Sequence, residues 1–289
     1  MKLLILNKCG ALPCSILFAL TATQAMADIK PDSGDYAALP AGTDLALLYQ
    51  QNLRIDKSYS GGKRMADNLD LNLTVEVLRL VHFSEFFDTG YIWDPQIVIP
   101  YGHQDFGATG RKNNGIGDIT FGATLWTLAD MERNRHLGWS MFITAPTGSD
   151  KNRGFALSGN RWAADFQVGY VHGLDEHWTW DVIGETEFYQ EQRDTGAHRD
   201  PLVQLHNHLR YNFTPQTSVA LSYRHNWGSR ETLDGQTLDT SHNNGTAGFS
   251  ATTMLGKQWQ VMGQYWRDVA VRSGTMIDDS VQFRVAYIY

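Results

Sequence analysis

His206 and His208 stand two apart in the run "LVQLHNHLRY". On a strand, residues i and i+2 share a face, so the two imidazoles point the same way. Such a pair holds a metal ion when carboxylates complete the set. Spacing fixes no third ligand here, and a solvated pair explains the same residues, so no metal and no other cofactor is expected. "RHNWGSR" brings His225 and Ser229 close together, residue types used by hydrolases. Both share the apolar-face parity of their strand, and no G-x-S-x-G elbow exists. A lipid-modifying barrel enzyme with a Ser/His pair at its rim stays as an alternative, and no catalytic residue is assigned. "NNGIGD" is glycine-rich but leads into a strand, which removes the phosphate-loop context.

The other polar residues of interest are Asp118, Arg161, Asp165, Asp181, Glu185, Arg210, Arg224 and Arg284. With His206 and His208 they are the pore-lining candidates. Each alternates with apolar neighbours, so together, with Asp70 and Glu76, they would line one wet side of a wall. Charges of both signs at close range in a lumen set ion selectivity, and they also brace a barrel interior without further function.

Elements that would position these side chains are strands. "VQFRVAYIY" places Val281, Phe283, Val285, Tyr287 and Tyr289 on one face. The same period of two recurs in Leu45/Leu47/Tyr49, in Leu69 to Val77, in Ile97/Ile99/Tyr101 and in Ile119 to Leu125. It continues in Leu137 to Ile143, Trp162 to Tyr170, Trp178 to Val182, Val203 to Phe213, Val219 to Trp227, Ala247 to Ala251 and Trp259 to Tyr265. At "LRL" the phase becomes uncertain and a bulge is expected. About twelve strands result, an even number. The expected fold is all-β, a transmembrane antiparallel up-and-down barrel with apolar faces toward lipid.

Connections alternate long and short. "SYSGGKRMAD", "DFGATGRKNN", "TGSDKNRGFALSG", "EQRDTGAHRD", "SRETLDGQTLDTSHNN" and "SGTMIDD" are read as long loops, with "EFFDTG", "ADMERNR", "GLDEH", "TPQ" and "GK" as short turns. Outer-membrane barrels have short periplasmic turns and long external loops, so both termini face the periplasm. Trp139, Trp178 and Trp259 lie near short turns and Trp162 and Trp227 near long loops, as two interfacial belts would require. Phe155, Ala156 and Leu157 form an apolar triplet in a wet loop, so Phe155 and Leu157 are candidates for an inward constriction.

The first 27 residues have a basic start at Lys2 and Lys8, a short apolar stretch and an Ala25-Met26-Ala27 close, which reads as a signal peptide cut after Ala27. Residues 28–42 are then a periplasmic segment and 43–289 the barrel. Cleavage removes both cysteines, which excludes disulfide scaffolds and thiolate chemistry. It also removes two of 24 basic residues and leaves 31 acids, a net charge of −9 that argues against nucleic acid. A closing strand with alternate apolar residues ending on an aromatic implies assembly by the barrel-insertion machinery, in contact with outer-membrane lipid and lipopolysaccharide.

"LPAGTDLALLYQ", "NNGIGDITFGATLWTL", "TAPTGSDKN" and "ALSGNRWAADFQVGY" occur in this order. This ordered set resembles the meta-pathway of phenol degradation-like family of outer-membrane proteins, with motif matches at Gly115, Gly117, Asp118, Asn160, Arg161 and Trp162. The resemblance implies an outer-membrane transporter associated with breakdown of aromatic or other hydrophobic compounds, and no enzyme activity. A passive channel admitting a small, hydrophobic or aromatic solute is the expected function. Its alternatives are the lipid-modifying barrel and a closed barrel whose loops bind at the surface.

Overall fold

The computed structural model describes residues 30–148 and 157–289. The expected signal peptide and Phe155 lie outside the described residues. Among those described, twelve long strands form the wall. They are β1 (Asp44–Ser60), β2 (Leu71–His82), β3 (Ile92–Phe106), β4 (Ile119–Asp130), β5 (Arg135–Ala145) and β6 (Ala163–Gly173). They continue as β7 (Trp178–Tyr189), β8 (Leu202–Thr214), β9 (Thr217–Gly228), β10 (His242–Leu255), β11 (Trp259–Ala270) and β12 (Gly274–Ile288). Each pairs antiparallel with the next, and β12 pairs with β1 to close the ring. Closure runs from Leu45 opposite Ile288 to Tyr59 opposite Gly274. At the seam Asp44 and Tyr289 exchange backbone hydrogen bonds of 2.8 and 3.1 Å. Closure matters because an open edge in hydrocarbon leaves backbone groups unsatisfied.

Alternation sorts the side chains of β4 to β12 as expected. Phe121, Trp139, Phe166, Trp180, Leu205, Leu221, Phe249 and Phe283 are exposed on the outer surface, while Thr124, Ser140, Gln167, Asp181, Ser222, Ser250 and Arg284 are buried within. The arrangement is that of a transmembrane barrel, apolar outside and polar inside.

β1 and β2 depart from the expected phase. Leu47, Leu53, Leu71, Leu73 and Val75 are buried in the interior, and Gln50, Asn52, Arg54, Asn72 and Glu76 face out. A period of two says that the faces differ but not which one meets lipid. β1 is 17 residues long, whereas about 9–11 residues cross a bilayer. Its outer part therefore stands clear of hydrocarbon and is patterned like a water-soluble sheet, polar out and apolar in, whereas Leu47, near the short-turn end, turns inward into a cluster with Val81 and Tyr36. No bulge occurs at "LRL", because Leu78, Arg79 and Leu80 keep unbroken register with both neighbours. Instead the outer face turns apolar there, with Leu78 and Leu80, while the inner face runs Val77, Arg79, Val81, and Arg79 is its one polar residue.

Two further expectations change. "SGTMIDD" is strand rather than loop, since Gly274 to Ile277 pair with the outer part of β1 and leave only 271–273 as the connection. The long loops also carry structure of their own. Lys63–Ala66 folds back on β1 and Arg111–Ile116 on β3, while His198–Arg199, Glu231–Leu233 and Gln236–Thr237 form a small sheet joining two loops over the mouth. At the opposite end the turns are tight. In the β6–β7 turn the Asp175 carboxylate accepts the N–H groups of His177 and Trp178, both at 2.7 Å, and these bonds hold its pKa below the usual carboxylate value.

Candidate functional site

The lumen is not an open tube. Residues Pro31 to Leu39, read from the sequence as part of a periplasmic segment, run inside the barrel. The chain folds inward because its residues match the polar wall. Gly42 first donates its N–H to Phe83 O (2.7 Å) at the rim. Ala38 N–H then meets His136 Nδ1 at 3.3 Å. Tyr36 Oη donates to Gln167 Oε1 and pairs with Ser140 Oγ, both at 2.8 Å. The ring packs edge-on to Trp126 at 5.8 Å within a cluster that includes Leu47, Val81, Val171 and Ile183. A turn follows, closed by Asp35 N–H to Asp32 O, with Gly34 at φ +89°, a left-handed conformation that glycine adopts without strain.

This turn is held by charge. Asp35 bridges two arginines, Arg284 at 2.7 Å and Arg79 at 3.0 Å. Asp32 takes a second contact from Arg284 at 3.1 Å and one from Gln264 at 2.7 Å. Gly34 N–H donates to Asp181 Oδ2 at 2.9 Å, and the other oxygen of Asp181 accepts from Arg210 at 2.9 Å. Contacts to β2, β5, β6, β7, β11 and β12 thus pin one short segment across the barrel. Charge-assisted hydrogen bonds contribute roughly 1.5–3 kcal/mol each, so the segment is a seated plug rather than a loose tail.

Gly169 shows that the wall is shaped for this plug. A Cβ placed there would fall 2.0 Å from Tyr36 Cδ1. Gly169→Ala should therefore displace the tyrosine while leaving the β6 ladder intact. Its expected signature is a higher single-channel conductance from a normally folded, heat-modifiable barrel. An unchanged conductance would mean that Tyr36 does not narrow the passage.

The pore-lining candidates all lie on the inner side, but they are not a set of free charges. Asp181, Arg210 and Arg284 belong to the plug's socket. Glu185 accepts from His206 Nε2 at 2.8 Å and from Gln204. His208 Nδ1 instead meets Ser222 Oγ at 2.8 Å, so the two histidines serve different partners. Among the described residues no cluster of three metal-binding side chains occurs. Asp165 accepts from Gln167 at 2.6 Å. Asp118 accepts the N–H groups of Gly148 (2.7 Å) and Gly159 (2.6 Å), and its own N–H donates to Leu157 O. It pins both ends of the β5–β6 loop. That loop delivers Leu157, 0% exposed, onto Leu53, Leu73 and Val75 inside the barrel. Gly102 and Gly117 leave the room for it, since a Cβ on either would come within 3 Å of Leu157.

Arg161 sits beside the loop, buried, with its closest carboxylate Glu231 at 3.5 Å. Burial, and then the nearby Arg199 guanidinium, push its pKa down to about 10. His225 faces outward, one ring nitrogen on Tyr223 Oη and the other on Asn243 Oδ1, so the hydrolase pairing with Ser229 is not formed.

Beside the plug lies a cavity of about 130 Å³. One wall is apolar, from Leu53, Val75, Val77, Val98, Pro100 and Ile277; the other carries Lys30, His206, Arg224, Thr246 and Gln282. A second cavity, about 330 Å³, lies around the plug and opens toward the short turns, lined by Leu45, Val81, Trp126, Phe142 and Ile288 among others. Pro31 and Arg79 border both. The plug thus divides one longitudinal passage into two chambers.

The decisive residues absent from the sequence reading are Asp32, Asp35, Tyr36 and Arg79. Arg79 was hidden by the misassigned face of β2. The "PDSGDY" run carried a usable signal, two acids around a glycine and an aromatic immediately before the first strand of a wall rich in inward arginines.

Known proteins fit this geometry. An outer membrane channel from Pseudomonas putida F1 is 29% identical, and the match covers 90% of this chain and 100% of that one with a TM-score of 0.84. The transport unit of the autotransporter AIDA-I from Escherichia coli shares the fold alone, at 11% identity and a TM-score of 0.51 over 95% of this chain and 97% of that one. A mutant of the TodX monoaromatic hydrocarbon channel also shares only the fold, at 7% identity, a TM-score of 0.50, and 88% and 90% coverage. Among curated proteins none is similar to the chain. The family described as "Putative MetA-pathway of phenol degradation" matches residues 56–285, nearly the whole barrel wall, and the chain belongs to that family.

Proposed function

We propose that this barrel is an outer-membrane channel that passes small hydrophobic solutes, including single-ring aromatics, one at a time through a plugged lumen. The observation that carries this reading is the apolar strip on the inner face of β1 to β3, continued by Leu157 and the wall of the 130 Å³ cavity. A porin for ions and sugars gains nothing from Leu53, Leu73 and Val75 inside its bore, where burial of an aliphatic side chain is stabilising only against other apolar groups. The long loops face outward and the plug enters from the periplasm. Lipid and lipopolysaccharide surround the wall, and the β12 strand is the element presented to the insertion machinery. The 29% identical channel of known structure supports a transport role over an enzymatic one.

A closed barrel is the second reading, and the plug itself favours it. Uptake separates the two. Cells making the protein should accumulate a labelled single-ring aromatic at low external concentration faster than cells lacking it. Equal rates would support the closed barrel.

A further inference from the structure

The interior arginines differ in their counter-ions, and Arg161, beside the β5–β6 loop, has Glu231 at 3.5 Å. Arg79, Arg199, Arg210 and Arg284 each have a carboxylate oxygen within 3.0 Å. Arg224 on β9 is 8% exposed and forms no ion pair with any described residue. Its Nη2 reaches Thr246 Oγ1 at a long 3.3 Å, and its Nε has no hydrogen-bond partner. The carboxylates nearby are engaged elsewhere. Asp268 accepts from Thr246 Oγ1 and from Ile277 N–H, both at 2.7 Å. Asp32 is held by Arg284 and Gln264, and Glu185 by His206 and Gln204.

Asp268 reaches Arg224 only through the Thr246 hydroxyl, and a buried guanidinium with no direct ion pair is disfavoured. Arg224 borders the 130 Å³ cavity, across from Leu53, Val75 and Val77. At about 130 Å³ the space is close to the ~150 Å³ apolar cavity that holds benzene, the scale of one aromatic ring. We propose that Arg224 is the anion-recognising residue of this cavity, and that the solute class it selects is a single-ring aromatic carboxylate. The ring lies on the apolar wall from β1 and β2. The carboxylate accepts from the Nη side of the guanidinium, since Nε is sealed from the cavity, a planar charge-assisted contact that arginine offers and lysine does not. A neutral hydrocarbon would fill the same wall but leave the guanidinium uncompensated.

The inference rests on the hydrophobic-solute reading above, and the test distinguishes the two. Binding of labelled benzoate, benzamide and toluene to the purified full-length barrel in detergent is measured for wild type, Arg224→Met and Arg224→Lys. Each protein is first checked for heat-modifiable mobility on gels. Wild type should prefer benzoate over its neutral isostere benzamide by about tenfold or more, the ratio one charge-assisted pair supplies. Arg224→Met should lose the preference and keep toluene, and Arg224→Lys should retain part of it. If Arg224→Met binds benzoate as well as wild type, or wild type does not distinguish benzoate from benzamide while toluene binds, the anion site is wrong and the hydrophobic-solute reading stands. If none of the three binds wild type, both fall.

Discussion

Deleting Pro31 to Leu39 should raise the single-channel conductance of the reconstituted barrel several-fold, with the wall still folded. The segment occupies the lumen between two chambers, and its contacts reach six of the twelve strands. Removing a partner from a buried ion pair usually costs about 3–5 kcal/mol because the remaining charge stays buried. Here the cost should be far smaller. Once the segment is gone, water fills the bore and hydrates Arg79, Arg284 and Asp181 where the plug had stood. The wall is held by its own ladder and by lipid, so gel mobility should still change on heating. Asp35→Asn with the segment retained should lie between the two states, because it removes the charge that bridges Arg79 and Arg284. A conductance equal to wild type after the deletion would show that the segment does not control the passage.

Removing Tyr287 to Tyr289 should abolish stable insertion. The deletion takes Tyr287 and Ile288 from opposite Ala46 and Leu45, and both Asp44–Tyr289 backbone bonds. It also removes the Tyr287 ring from Trp259, 4.7 Å away. Each backbone group left unpaired in hydrocarbon costs several kcal/mol, and a short row of them exceeds the stability margin of most domains, about 5–15 kcal/mol. The folded, heat-modifiable band should vanish from the membrane fraction. Normal amounts of inserted barrel would count against the seam as the closing element.

Strand periodicity made the wall legible. In β4 to β12 the alternation predicted which side chains are inside, down to Asp181, Arg210 and Arg284. It failed in β1 and β2: in their outer parts the chain rises beyond the bilayer and water replaces lipid outside, and near the short turns Leu47 packs inward with Val81 and Tyr36. The same leucines that would face lipid lower down there turn inward to meet Leu157. Periodicity also placed no residue from outside a strand, so the plug was invisible to it. Asp32, Asp35 and Tyr36 find their partners more than 40 residues away in sequence, and Gly34 and Gly169 matter only because of what approaches them. The candidate charges were located, but their roles depend on partners that alternation cannot supply. Asp118 holds a loop, Asp181 and Arg284 hold the plug, and Arg224 alone among the inner arginines of the wall strands keeps no counter-ion.

Single-channel recording of the wild-type barrel in planar bilayers, with a single-ring aromatic solute added to one side, decides whether ions and small aromatic solutes share one plugged passage. The expected result is small, discrete current steps that shrink or flicker in a concentration-dependent way as the solute occupies the 130 Å³ cavity beside the plug. Either the absence of any current from a correctly folded barrel, or steps indifferent to the aromatic at every concentration, would contradict it.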